Sequence, residues 1–143
     1  MRHACVLLLL AMVVASAPAR ADESRDAPST PDQLTFEADV RPILKVHCTH
    51  CHGEADEREG GLDVRLRRLI VAGGDSGPAI DLQSPHDSLL LQRLRDGEMP
   101  PGEKKLSKRE FKVIERWVEQ GSPTSSPEPE TIGAEGFVSD EDR

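Results

Sequence analysis

The sequence predicts an all-α fold, one small helical domain between polar tails, and three observations predict it. Apolar residues recur every three or four positions in three separate segments, the period of one helical face. Each segment is bounded by residues that start or stop helices. Elsewhere, alternation reaches only from Leu62 to Val64, and neither a βαβ pattern nor an internal repeat is present.

The elements follow in chain order. Residues 1–21 carry Arg2, an apolar run from Ala4 to Ala17 and the small-residue triplet Ala19-Arg20-Ala21. That order reads as a secretory signal peptide cut after Ala21, because a run of fourteen residues falls short of the ~20 that span a bilayer. The mature chain is therefore expected to be exported, periplasmic or extracytoplasmic, with no transmembrane segment. Cys5 leaves with the signal, so only Cys48 and Cys51 remain, and Met99 is the sole methionine of the mature chain. In an oxidising compartment such a pair must be bridged, metal-bound or alkylated.

Residues 22–33, polar and rich in Pro and Ser, read as a disordered leader, and residues 122–143 as a disordered acidic linker or tail. The domain lies between them, over residues 34–121. The mature chain has sixteen Lys and Arg against twenty-six Asp and Glu, but residues 34–121 hold fourteen against sixteen. The acidity belongs to the tails, and an exported acidic chain is not expected to bind nucleic acid.

In the first helix Phe36, Val40, Leu44 and Cys48 share a face, with Asp39 as N-cap and Pro42 in the first turn, where its missing N–H does little harm. This helix delivers the cysteines near its C-terminal end. From Gly53 to Gln83 the chain is Gly-rich, with turns at Gly60-Gly61 and Gly73-Gly74. Within it, Leu62 and Val64 alternate as in a short extended piece, while the stretch from Asp63 to Ala72 fits a short helix instead. A second helix is expected from Ser84 as N-cap and Pro85 as first residue to Gly97 as stop, with Leu90, Leu91 and Leu94 apolar. Two prolines then hold Met99 in a stiff loop. The third helix has a capping box, Ser107 with Glu110, a hydrophobic staple of Leu106 with Phe111, and Gly121 as stop.

Three such helices bury little. Phe36, Phe111, Phe137 and Trp117 are the only aromatics of the mature chain, so a core made of protein alone would be thin. A large apolar cofactor would remedy that.

The stretch CTHCHG, Cys48 to Gly53, offers three readings. Zinc would want four ligands, commonly from two knuckles, and only one Cys pair exists, with His47, His50 and His52 crowded against it. A disulfide is possible for an exported pair, but leaves His52 without a role. Haem uses every feature, since Cys-x-x-Cys-His is the attachment signal of c-type haem. On a helix Cys48 and Cys51 face the same way, and His52 lies four residues from Cys48 on that side.

The sixth iron position sets the chemistry. Met99 is the favoured distal ligand and His86 its rival, while His47 and His50, too close to the anchored cysteines to cross the ring, are expected to face solvent. Lys104, Lys105, Lys108, Arg109, Lys112 and Arg116 could steer an acidic redox partner, but interspersed glutamates make an ordinary charged face the simpler reading.

The segments FEADVRPIL, CTHCHG, GGLDV, GGDSGPAI, SLLLQRL, GEMPP and KLSKREFKVIERWVEQG, in this order, resemble the planctomycete cytochrome c domain, a member of the class I cytochrome c fold, over about residues 36–121. The resemblance implies a helical domain wrapped around one covalent haem c, with Cys48 and Cys51 as attachment sites, His52 as proximal and Met99 as distal ligand. The chain departs from the family at Asp81-Leu82, where a Pro-Gly turn is common. Its tail, PETIGAEGFVSDEDR, looks like the linker that leads in this family to larger downstream domains, so a stand-alone carrier and the front of a split or truncated gene are both open. The expected function is a single-electron carrier, not an enzyme, working with a redox partner protein. The alternative is a haem redox or sensor module with an open sixth position, serving a larger enzyme.

Overall fold

A computed structural model describes residues 32–132. The signal-peptide reading and the greater part of the expected leader, residues 22–31, lie outside the described residues, as do residues 133–143 of the tail. Among the described residues the regular elements are helical, with one isolated bridge between Gly74 and Gly77, which agrees with the all-α expectation.

The first helix begins earlier than expected. Thr35 caps a π-helical turn, Phe36–Val40, by accepting from Ala38 N, and Asp39 returns a carboxylate to the Thr35 amide at 2.7 Å. Asp39 thus bonds back to the cap instead of being it. The chain continues as α1, Arg41–His47, with Pro42 in its first turn. It kinks at Cys48 (φ −127°, ψ −38°) and resumes as α2, Thr49–His52. Leu62 is half-buried while Val64 and Leu66 are buried in extended chain, and α3, Arg67–Ala72, follows. Both readings of this stretch were therefore right in part.

The second expected helix starts later than Ser84. Pro85–Asp87 form a 3-10 turn and α4 runs Leu89–Arg95. The Asp81 carboxylate takes the amides of Gln83 and Ser84, and Ser88 Oγ accepts from Asp81 N. An Asx turn thus shapes the place where the family commonly has Pro-Gly. The last helix, α5, Lys108–Glu119, has both halves of the predicted capping box, and Gly121 closes it at φ 84°.

The core joins the two ends of the domain. Phe36 and Trp117 are fully buried with ring centroids 5.7 Å apart, and Val40, Leu44, Ile70, Leu91, Ile114 and Val118 complete it. Pro123 O accepts both Phe36 N and Trp117 Nε1, each at 2.9 Å. Residues 122–132, counted with the tail in the sequence, continue along the domain. Arg67 donates to Ser122 O, Arg68 N to Glu128, and the Arg68 guanidinium to the carbonyls of Pro129 and Glu130. No helix among the described residues is long and apolar enough to cross a membrane.

Candidate functional site

Cys48, Cys51 and His52 are brought together by one helical turn. The Cys48 carbonyl accepts from Cys51 N at 3.2 Å and from His52 N at 2.9 Å, so all three side chains leave the same short segment. Both cysteines are free thiols and half-buried. Burial, and after it the neighbouring Cys51, pushes the Cys48 thiol up to about 11. Dithiol oxidoreductases work through a thiol whose pKa is lowered, the opposite direction. Among the described residues, no group of three His, Cys, Asp or Glu is gathered to hold a metal ion.

His52 is oriented from the main chain. Its Nδ1 lies 2.9 Å from Glu59 O, and a carbonyl can only accept, so Nδ1 carries the proton. Nε2 is left with its lone pair, the form a metal-ligating histidine requires, with the ring held by an outer partner. The Glu59 carbonyl is fixed in turn. Asp75 N donates to Gly60 O at 2.8 Å, and a Cβ on Gly74 would stand 2.2 Å from that oxygen, so the two Gly-Gly turns close only with glycine at 74. The sequence marked both turns without showing that one supports the other and, through it, His52.

Met99 sits in the loop after α4. Gly97 has φ 69°, the Met99–Pro100 bond is cis, and Met99 N donates to Arg93 O at 3.1 Å. Pro100 is buried while Met99 is 37% exposed. His86 points elsewhere. Its side chain is 72% exposed and Nδ1 lies 3.4 Å from Glu119 on α5.

His50 is exposed as expected, but His47 is not. Its side chain is 5% exposed and Nε2 lies 3.2 Å from Glu110 Oε1. The reason is helical phase, since His47 follows Val40 and Leu44 on the buried face, and the carboxylate it meets already caps α5. Hydrogen bonds from the Ser107 backbone first, then its side chain and His47, hold Glu110 down at about 2.

Cys48, Cys51 and His52 fit c-type haem, with two thiols one turn apart and a histidine whose Nε2 is left to ligate, while Met99 offers a thioether from a braced loop elsewhere in the chain. Apolar residues around the core, including Cys48, Leu62, Leu90 and Leu94, are only partly covered, as they would be where a flat apolar group belongs. A separate cavity of about 540 Å³, lined chiefly by Val71, Pro78, Ile80, Leu82 and Leu89, includes none of the four site residues.

This arrangement is a candidate c-type haem site on a small helical domain. A family model described as planctomycete cytochrome C matches residues 48–103, from the first cysteine past the Met99 loop, which bears out the resemblance read from the motifs. A cytochrome c domain implies covalent haem c and haem-based electron transfer rather than catalysis, and such domains are typically extracytoplasmic. Comparison with curated proteins and with solved structures gave no significant match.

Proposed function

We propose that this chain is an exported monohaem c-type cytochrome that carries single electrons between partner proteins. Bound haem c supplies reversible one-electron chemistry at iron. Cys48 and Cys51 would hold it covalently, and His52 Nε2 and the Met99 thioether would ligate its iron. The observation that carries the reading is the His52 Nδ1 bond to Glu59 O, which leaves one ring nitrogen free on the same helical turn as two thiols.

Met99 is preferred to His86 because its loop is braced and its thioether has no other partner among the described residues, whereas His86 is turned to Glu119. Export follows from the signal-like residues 1–21, which also supply the route to attachment outside the cytoplasm. The partner is proposed to be another redox protein. Of the four cations of α5, Lys112 pairs with Glu115 and Arg116 with Asp32, which leaves that helix a weak basic patch for a partner to read.

The test is an absorption spectrum, oxidised and reduced, of the full chain exported from a host with haem-attachment machinery, with a haem-stained denaturing gel. Haem that survives the gel, sharp reduced bands and a far-red sulfur-to-iron band in the oxidised form are expected. Covalent haem without the sulfur band would favour the redox or sensor module with an open sixth position. Absence of covalent haem would overturn the proposal.

A further inference from the structure

Lys105 stands between Met99 and α5, and its ammonium donates to two carbonyls, Gly97 O at 2.8 Å and Pro100 O. These carbonyls flank Met99. Further polar groups of the loop are also engaged: Met99 N with Arg93 O, Gly97 N with Leu94 O and the Glu98 carboxylate with Arg93. The main chain is tied down on both sides of a residue whose thioether makes no hydrogen bond.

The sequence explains why a lysine does this. Pro100 and Pro101 carry no N–H, so the loop is short of donors for its own carbonyls. An ammonium has three donors and no acceptor, and bonds from a charged donor are the stronger kind. The base of Lys105 is itself held. Its amide donates to Glu103 O at 3.0 Å, Leu106 packs against the core, and Ser107 opens the α5 capping box. Through Glu110 the same helix end grips His47, next to Cys48. Residues 105–110, which lead into α5, therefore reach the attachment helix with a carboxylate and the Met99 loop with an ammonium.

We propose that Lys105 is a positioning residue for the distal ligand, stapling the Met99 loop so that the thioether is held against the iron. This rests on the reading of Met99 as sixth ligand. Without the staple, the loop relaxes and an external ligand competes more readily with sulfur.

The experiment uses the haem-loaded full chain and compares wild type, K105M, K105R, K104M and M99A. Three quantities are read: the far-red sulfur-to-iron band, the apparent affinity for added imidazole, and hydrogen exchange at the Met99 amide. K105M keeps the aliphatic stem and loses the donors. It is expected to weaken the band, to bind imidazole about tenfold more tightly, as loss of such bonds implies, and to exchange faster at Met99. K105R can still bond two carbonyls and, like K104M, is expected to stay within about twofold of wild type. K105M with wild-type band, imidazole affinity and exchange would overturn the proposal, as would K104M changing as much as K105M. If M99A leaves the wild-type spectrum unchanged, the sixth-ligand reading fails and Lys105 loses its role with it. If M99A abolishes the band while K105M does nothing, the lysine proposal alone fails.

Discussion

The two sides of the proposed site are held by different means. On the His52 side the support is main chain: the ring bonds Glu59 O, and His52 O accepts from Val64 N at 2.8 Å. On the Met99 side the loop's carbonyls depend on the Lys105 side chain. Bonds within folded backbone come with the fold, whereas fixing a lysine costs about 2 kcal/mol of rotamer freedom. The Met99 side is the softer one, and perturbations should reach it first.

The largest effect belongs to the firm side. Replacing both Cys48 and Cys51 with Ala is expected to abolish covalent haem on a denaturing gel. On the soft side, Met99→Ala should leave attachment intact while lowering the reduction potential by on the order of 0.1 V or more, since axial ligands set much of that range. An equal fall in His86→Ala would break the comparison by moving the distal ligand to His86.

Gly74→Ala tests whether the firm side can be loosened from a distance. The new methyl would meet Gly60 O at 2.2 Å and Leu62 N at 2.7 Å, against backbone that has little room to yield. A loss of about 2 kcal/mol is expected, seen as a fall in Tm of roughly 10 °C, with altered His52 ring-proton shifts. An unchanged melt would mean that the two turns are not braced on each other.

Glu110→Ala should cost about 1 kcal/mol as a lost helix cap and expose His47, measured by denaturant unfolding. The pH dependence has a defined sign. Glu110 is held below its ordinary 4.5, at about 2, so the unfolded chain takes up the proton first. Its contribution is complete above pH 4.5 and is lost as pH falls from there through about 2. Glu110→Gln should flatten that part of the acid-unfolding curve. The smallest effect is expected for His86→Ala in stability, within about 0.5 kcal/mol, because the side chain is 72% exposed.

Much of this was legible in the sequence because it depends on local chemistry. Ser107, Glu110 and Gly121 mark the ends of α5 through neighbouring backbone alone, and the spacing of Cys48, Cys51 and His52 fixes their common origin on one turn. What could not be read depends on chain partners far apart. Glu110 meeting His47 joins positions 63 residues apart, and nothing near His47 announces a carboxylate. Helical phase could have given a warning, since His47 falls on the face of Val40 and Leu44. The late start of α4 has a local cause that was readable, because Asp81 competes for the amides of Gln83 and Ser84. The role of the Glu59 carbonyl left no side-chain signal at all.

The double acceptor at Pro123 bears on where this domain can be cut. Composition draws the boundary at Gly121, yet a truncation there would take away the oxygen that satisfies both the Phe36 amide and the Trp117 indole. Those groups belong to the first and last helical elements and lie in the core. A protease that nicks the chain just after Gly121 would therefore loosen the amino and carboxyl ends together, and a version intended to stand alone should run to about residue 132.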